Sequence, residues 1–456
     1  MTKKYWLRVG LMGIVLAMIL FSIIRAIYQM RAENPLANLV GETIELTGTI
    51  NGDPDISDEA SSARLGNLSY NDNTVSGTVY LYGNLDPELE RGDRVTIRGK
   101  FAQGFGTFVG AFYRPKVIIL LKPEPISISL RIRNFFAESV RDTIGGREAK
   151  LGLAYLLGMR NGLDDETLEM LSLVGLTHIV VASGTHLGII ADFFRKKFGK
   201  ISRFAGLLFG IICVLFFGQI VGWTASITRA AIVSGLMMAG WYYGRKLGAG
   251  RVIMIAMAIT LIINPMYVVD IGWLLSFAAF TGIMVLEPML VEFFYGRVGI
   301  EHKATKRPGL IAELILASLA ATLMCAPILL YYFGSISVVS ILANVLILPT
   351  IPFAMGMTAL AGLVGFLPNF FLFDWARYIV VKVATLVLDY HLFVMEIFAK
   401  QTNLIITMEK YNPLVFLLYI PILMPFIIGL IKRQVLRRKA KLRVYSNPEK
   451  YLPYTA

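Results

Sequence analysis

The chain has 456 residues, of which 56% are hydrophobic and 16% are charged, and its mean hydropathy is +0.63. This composition, with repeated apolar runs of about 18–25 residues, excludes an ordinary soluble protein and predicts a polytopic helical membrane protein. The net charge of +13 suits nucleic acid or anionic lipid headgroups, but much of the excess lies in short loops and the tail, as the positive-inside rule predicts. Cys213 and Cys325 both lie in apolar runs, so no disulfide framework is indicated.

A charged start and a long apolar run open the chain. Lys3 and Lys4 precede an apolar stretch from about residue 5 to residue 24, and no small-residue cleavage site follows before Arg25. The run is long for a secretory signal. We therefore expect residues 1–30 to form an uncleaved transmembrane anchor with its N-terminus in the cytoplasm.

Residues 40–122 have a different character, with short stretches of alternating apolar residues separated by Gly, Asn, Asp and Pro turns. The predicted strands are Thr43–Ile50, Arg64–Tyr70, Val75–Tyr82, Arg94–Phe101 and Phe108–Leu120. Five short strands in about eighty residues fit a small Greek-key barrel such as an OB-fold.

Basic and aromatic residues in the second half of this domain suit a surface for a nucleic-acid strand, because such surfaces combine phosphate contacts with base stacking. The candidates are Arg94, Arg98, Lys100, Phe101, Phe105, Phe108, Phe112, Tyr113 and Arg114. The other interpretation is that the rings fill the barrel core and the arginines are simply solvated. The pattern of residues leaves both interpretations open.

Residues 126–162 mix charged and apolar positions at helical spacing, which is typical of amphipathic helices on a membrane surface. Asp164 is a predicted N-cap for the helix that follows. Beyond it we expect a membrane domain over residues 163–400, a final transmembrane helix over 401–431 and a basic cytoplasmic tail over 432–456. The predicted spans lie near residues 171–192, 204–222, 226–243, 251–264, 270–290, 311–333, 336–367, 376–398 and 412–431.

Loop charge places the basic segments 195–203, 245–251 and 297–307 on the cytoplasmic side together with the tail. The expected fold is therefore a mostly α polytopic protein with about ten crossings. This count requires that residues 336–367, broken at Pro349 to Pro352, make one net crossing. Broken helices at membrane depth are tolerated where they are buried in protein or line a water-filled cavity.

Gly175–Gly188 places His178, Ser183 and His186 in an apolar run, where polar groups usually mark function. On an unbroken helix, two histidines eight residues apart project about 80° from each other. They can line one side of a pore, or they can be satisfied by nearby carbonyls while the glycines serve helix packing. A Ser/His pair also suits a nucleophile, but no acidic residue to orient the histidine is evident.

Several ordered motifs resemble those of the ComEC competence proteins. Gly175–Gly188 is similar to the family's signature, although Thr185 stands where the family usually has leucine, and Leu85–Lys100 is similar to an OB-fold strand entry. Further blocks that resemble the family are Ser226–Ala230, Asn264–Pro265 with Gly272–Phe277, and Ser335–Ser337 with Asn344 and Pro349.

The resemblance implies an inner-membrane channel for single-stranded DNA in natural transformation, with an extracytoplasmic OB-like domain and both termini cytoplasmic. Its implied channel-lining residues are His178, Ser183, Gly184, Thr185, His186, Arg229, Ser276, Asn344 and Pro349. Arg229 is expected at the outer membrane boundary, where it either guides phosphates or snorkels to headgroups. The implied partners are single-stranded DNA, membrane lipids, and a separate DNA receptor, motor or strand-binding protein. A homo-oligomer is left open.

Lys382, Asp389 and Glu396 recur every seven residues on a predicted helix and form one polar stripe, with His391 nearby. A Lys–Asp pair that neutralises itself is one interpretation, and a path for protons or substrate is another. The second would suit an ion-coupled small-solute or lipid transporter, which is the alternative function. An intramembrane hydrolase is a further alternative.

The sequence shows no phosphate-binding loop and no H-x-H-x-D-H zinc motif. Family members often carry a C-terminal metallo-β-lactamase-like domain, and this chain is expected to lack it. We therefore expect no nuclease or ATPase activity, no metal and no cofactor in this chain.

Overall fold

The computed structural model describes residues 3–31, 36–54, 61–85, 89–105, 107–122, 127–160, 162–180, 184–245, 247–295, 308–366, 371–401, 404–422 and 424. The chain divides into two compact units. The first comprises residues 1–277 and 337–405, and the second comprises residues 278–336 and 406–456.

A β-barrel lies near the start of the first unit. Its strands are β1 Thr43–Ile50, β2 Ser61–Tyr70, β3 Asn73–Val75, β4 Val79–Gly83, β5 Arg94–Gln103, β6 Gly110–Tyr113 and β7 Lys116–Leu121. Strands β1, β2, β4, β6 and β5 follow one another around the barrel, and antiparallel pairing of β1 with β5 closes it. β4 and β6 pair in parallel, whereas β3 and β7 attach to β2 and β5. The predicted five-stranded OB-like barrel is confirmed.

Alternation along the strands builds the barrel core. In β1, Ile44, Leu46, Gly48 and Ile50 are buried, and the residues that alternate with them are more exposed, as expected for a strand with one inward face. Phe101 of β5 packs edge-on against Phe112 of β6, with ring centres 5.3 Å apart. A larger residue than glycine cannot replace Gly110, because the Phe101 ring occupies the space that a Cβ atom would need.

Two predicted strands are interrupted in the structure. The stretch 108–120 divides into β6 and β7 at Arg114, whose φ of 55° turns the chain before Pro115. The stretch 75–82 divides into β3 and β4 around Gly77, whose φ is 131°. Both backbone conformations lie outside the extended region, so a continuous strand is impossible at these positions.

The rest of the described chain is mainly helical. The helices are α1 Lys3–Arg31, α2 Ile128–Ile144, α3 Gly146–Leu157, α4 Asp165–Leu173, α5 Thr177–Val180, α6 Gly184–Phe198, α7 Arg203–Val221, α8 Ala225–Tyr242, α9 Ala249–Ile263, α10 Ile271–Thr281, α11 Glu287–Tyr295, α12 Leu310–Phe333, α13 Val339–Ile347, α14 Ile351–Gly365 and α15 Phe371–Ala399. A π-helical turn, Gly282–Leu286, joins α10 to α11. Two short strands, β8 Ser335–Ser337 and β9 Ile405–Thr407, pair with each other.

Among the described residues, five helices are long and apolar enough to cross a membrane: Met12–Gln29, Arg203–Val221, Ile271–Tyr295, Leu310–Phe333 and Asp374–Ala399. The α13–α14 pair bends by 50° and raises the number to six if it makes one crossing. This pair confirms the predicted break within residues 336–367. The chain is a membrane protein with several spans, and the number of about ten stays a prediction.

The prediction of one span over residues 171–192 is wrong, because α4, α5 and α6 divide this stretch. Gly175 ends α4 with a left-handed φ of 72°. The amide of Leu176 donates to Leu171 O, and that of Gly175 donates to Ser172 O. This is the hydrogen-bond pattern of a Schellman C-cap. As predicted, the Asp164 side chain caps the N-terminus of α4 by accepting from the Thr167 amide.

Charged contacts fasten the barrel to the helices of the first unit. Arg133 of α2 is buried and donates to both carboxylate oxygens of Asp53, which follows β1, with one contact at 2.7 Å. Arg91, before β5, donates to the Ile220 carbonyl at 3.3 Å, near the C-terminus of α7. Cations are favourable at that end of a helix. The barrel is therefore held by two contacts, one to α2 and one to α7.

Candidate functional site

Exposed aromatic rings gather on one part of the barrel. Tyr80 and Tyr82 alternate along β4 with the buried Val79 and Leu81, so both rings point outward. The ring of Tyr80 lies 5.3 Å from those of Phe105 and Phe108, and the ring of Tyr82 lies 6.3 Å from that of Tyr113. The name aromatic surface is used here for Tyr80, Tyr82, Phe105, Phe108 and Tyr113.

The most exposed members of the aromatic surface are Tyr113, Phe105 and Tyr82, at 56%, 49% and 44% exposure. Arg64 of β2 places its guanidinium 5.9 Å from the ring centre of Phe108. Large exposed rings beside a cation form the combination that stacks on bases and contacts phosphates. OB-folds bind oligonucleotides with the second and third barrel strands and with the loop between the fourth and fifth. Here these elements are β2, β4 and the residues 104, 105 and 107–109, which carry most of the aromatic surface.

The residues that we predicted from the sequence for DNA contact fall into an exposed group and a buried group. Arg94, Arg98 and Lys100 of β5 are exposed, and Arg98 also lies 3.8 Å from Glu45. Tyr113 and Arg114 are exposed at the end of β6, next to Tyr82. Phe101 and Phe112 are fully buried in the barrel core, so the prediction of Phe101 as a contact residue is wrong. Its ring cannot reach a base.

Sequence reasoning missed Arg64, Tyr80 and Tyr82. A signal for the tyrosines was present in the segment Val79–Gly83, which alternates aliphatic and aromatic residues. Because successive strand residues point to opposite faces, an apolar inner face at Val79 and Leu81 implies outward tyrosines. No comparable local signal exists for Arg64, whose position beside Phe108 depends on pairing between strands.

A second polar cluster lies inside the helical part of the first unit. Arg229, in the second turn of α8, is only 8% exposed. Its Nε donates to Ser276 Oγ of α10 at 2.6 Å, and Ser276 Oγ lies 3.1 Å from Ser226 Oγ. The guanidinium also lies 5.8 Å from the centre of the Phe277 ring. Snorkelling to headgroups, one of the two alternatives for Arg229, does not fit a side chain that is buried among helices. The other alternative, guidance of phosphates, stays a prediction.

Removing the acceptor of Arg229 is expected to destabilise this cluster. Ser276→Ala takes away a hydrogen bond to a charged group and should lower the free energy of unfolding by about 2 kcal/mol. Ser226→Ala, the matched control, removes only a bond between neutral hydroxyls and should lower it by about 1 kcal/mol. Thermal unfolding of the purified full chain in detergent micelles measures both. Equal effects of the two changes would contradict the role given to Ser276.

The histidine signature is divided between two helices. His178 lies on α5, is exposed, and donates from Nδ1 to the Gly175 carbonyl at 3.0 Å. Gly184, Thr185 and His186 begin α6, whereas Ser183 lies outside the described residues. The 80° relation expected for an unbroken helix therefore does not apply. Gly175 also approaches α13 closely, because a Cβ atom there would lie 2.7 Å from Ser340 Cβ.

The remaining predicted residues lie on α13, at the break that follows it, and on α15. Asn344 is buried in α13, and Pro349 is exposed at the break. On α15, Lys382 and Asp389 are exposed and Glu396 is half-buried. The Asp389 carboxyl lies close to Glu148 of α3 and to Lys382, and the proximity to α3 was not indicated by the sequence. The predicted stripe is thus one partner in a contact between α3 and α15.

Within the described part of the chain, no group of three or more His, Cys, Asp or Glu residues could hold a metal ion.

Comparison with known proteins bears on the helical part. A family model described as Competence protein matches residues 155–433, more than half of the chain. The chain belongs to the Competence protein family. ComE operon protein 3 of Bacillus subtilis (strain 168) is 27% identical over 212 residues, which are 46% of this chain and 25% of that protein. This chain thus matches about a quarter of the length of that Competence relative. No solved structure matches the chain.

Proposed function

We propose that this chain conducts single-stranded DNA across the inner membrane during natural transformation. The aromatic surface on an OB-like barrel, joined in one chain to a Competence family membrane domain, is the observation that carries the proposal. Exposed rings on such a barrel bind bases without strong sequence preference, as an uptake system requires.

The proposed path begins at the barrel on the extracytoplasmic side. The aromatic surface holds bases, and Arg64, Arg94, Arg98, Lys100 and Arg114 contact phosphates. The strand then enters a membrane domain of about ten crossings, with both termini cytoplasmic. Conduction requires many weak contacts, so that the strand is not trapped. A separate receptor, motor or strand-binding protein supplies direction, since this chain performs no catalysis in the proposal.

Two substitutions test the aromatic surface directly. Tyr113→Ala and Phe105→Ala should each weaken binding of a short oligothymidylate by about 1–3 kcal/mol, because each removes a ring that stacks on a base. Ile119→Ala, which truncates an equally exposed apolar residue of β7, is the matched control and should leave affinity unchanged. Fluorescence anisotropy on the full chain in nanodiscs measures the affinities.

Repeating the oligothymidylate titration at several salt concentrations shows whether the chain contacts phosphates. The logarithm of the affinity should fall linearly as the logarithm of the salt concentration rises, because binding releases counterions from the strand. Binding that does not change with salt, or equal affinities for Tyr113→Ala and Ile119→Ala, would remove the barrel from the DNA path.

Uptake in the host tests the channel itself. A deletion strain should still bind labelled DNA outside but should lose its entry into the cytoplasm, and the wild-type chain should restore entry. Complementation with Tyr113→Ala, Arg229→Ala and His178→Ala then shows which residues entry requires. Unchanged entry in the deletion strain would exclude a channel role and favour the alternative of an ion-coupled transporter.

A further inference from the structure

The break between α13 and α14 is met by two consecutive residues of α15. Tyr390 Oη donates to the Leu346 carbonyl at 3.2 Å, and His391 Nε2 lies 2.7 Å from Thr350 Oγ1. Thr350 is the last residue of the break, and its hydroxyl donates to the Ile347 carbonyl at 2.8 Å. A break in a helix frees backbone carbonyls, which need partners inside a membrane protein. Tyr390 and Thr350 supply those partners.

These contacts favour one tautomer of His391. A hydroxyl has a single proton, and Thr350 directs its own to Ile347 O, which also accepts from the Thr350 amide at 3.1 Å. With the hydroxyl proton in that bond, Thr350 Oγ1 accepts from His391, and Nε2 is the protonated nitrogen of the neutral ring. Nδ1 is then a lone pair that needs a donor.

Two rings that meet beside this bond each carry a buried polar atom without a partner in the described part of the chain. His391 and Tyr155 of α3 are both 0% exposed, and their rings meet edge to face with centres 5.5 Å apart. His391 Nδ1 and Tyr155 Oη have no hydrogen-bond partner among the described residues. Tyr155 belongs to a buried apolar cluster that includes Leu388, Leu392 and Met395. Leaving such atoms unpaired is costly, and buried polar atoms usually share an ordered water.

We infer that Tyr155 Oη and His391 Nδ1 form a closed binding site for one water molecule, and that this site pins the bend between α13 and α14. The water donates to Nδ1 and hydrogen-bonds to Tyr155 Oη. The resulting chain of hydrogen bonds runs from Tyr155 through the water, His391 and Thr350 to Ile347 O. His391 is a positioning residue in this arrangement. The inference goes beyond the proposed function, because it applies whatever the chain conducts.

The site has a consequence for the break. In many transporters the unwound part of a broken helix binds the substrate or the coupling ion. Here side chains of α15 engage the Leu346 carbonyl and the Thr350 hydroxyl, so the bend is anchored from the protein interior.

Nitrogen-15 NMR of the histidine-labelled full chain in nanodiscs, without DNA, tests the site. His391→Gln identifies the His391 signals by their loss. The expected spectrum shows a protonated Nε2 and an unprotonated, hydrogen-bonded Nδ1. Tyr155→Phe should shift the Nδ1 signal without changing the tautomer, because it removes one anchor of the water. A protonated Nδ1, or an Nδ1 signal unmoved by Tyr155→Phe, would overturn the inference.

Distances across the break test the pinning. Spin labels at the exposed positions Leu342 of α13 and Leu360 of α14 report the bend in a background with Cys213 and Cys325 replaced by serine. Thr350→Val should broaden the distance distribution, and Tyr155→Phe should broaden it less. His391→Gln, which retains a donor near the position of Nε2, should preserve the bend. An unchanged distribution in Thr350→Val would show that the bend does not depend on this site.

Discussion

Phe101→Ala is expected to lower the free energy of unfolding of the barrel by about 4 kcal/mol, because it removes a buried ring and leaves a cavity. Phe101 has no exposed surface and packs against Phe112, with ring centres 5.3 Å apart. Pulse proteolysis of the full chain in increasing urea, with barrel fragments as the readout, measures the change.

Two variants separate this structural role from a role in DNA contact. Phe101→Leu keeps most of the buried volume and should cost about 1 kcal/mol. Tyr113→Ala truncates an exposed ring and should hardly alter stability, although it weakens DNA binding in the proposed function. If Phe101→Ala unfolded at the same urea concentration as Tyr113→Ala, Phe101 would not belong to the core.

Asp53→Ala should destabilise the attachment of the barrel by about 3 kcal/mol, since removing one partner of a buried ion pair leaves the other charge unpaired. Arg133 is 3% exposed and binds both oxygens of Asp53. Arg91 is also close. Burial lowers the pKa of Arg91, the carboxylate of Asp53 raises it, and the charge of Arg133 lowers it. Without Asp53, two arginines would repel each other with no anion between them.

Thermal unfolding in detergent micelles measures the effect of Asp53→Ala, and Glu45→Ala is its control. Glu45 and Arg98 are 3.8 Å apart with side chains more than half exposed, so losing that pair should change little. Asp53→Ala combined with Arg133→Met should regain part of the lost stability, because the unpaired buried charge is removed. A single Asp53→Ala variant as stable as Glu45→Ala would show that the contact is not a fastening point.

Local patterns in the sequence were enough to predict the barrel. Alternation and turn residues located the five strands that close the barrel, because each of these strands has one buried face. They could not locate the interruptions at Gly77 and Arg114, which depend on how the chain meets its neighbours around the barrel. For the same reason, Phe101 and Tyr113 look alike in the sequence but lie on opposite sides of the sheet.

In the membrane part, the features that could be predicted are those that depend on local hydropathy or on a proline in the segment itself. The break after α13 was predicted from its prolines, and the structure places it at Leu348–Thr350. A disturbance of the helix at Gly184 was expected from the sequence, and α6 begins at that residue. The end of α4 at Gly175 was not predicted, because hydropathy continues unchanged through that position. The grouping of Tyr155, Thr350 and His391 could not be predicted either. These residues come together only when three segments that are far apart in the sequence pack against each other.

Closure of the barrel by β1 and β5 orders the steps of biosynthesis. Thr43 pairs with Lys100, so β1 must wait for its partner until the intervening strands have been made. Contacts between residues far apart in sequence form slowly. Meanwhile the apolar anchor α1 has already left the ribosome and can enter the bilayer. Until β5 has been made, the nascent chain therefore carries its apolar helix next to an open sheet with an unpaired edge. We expect a chaperone to be needed most between the synthesis of β1 and that of β5.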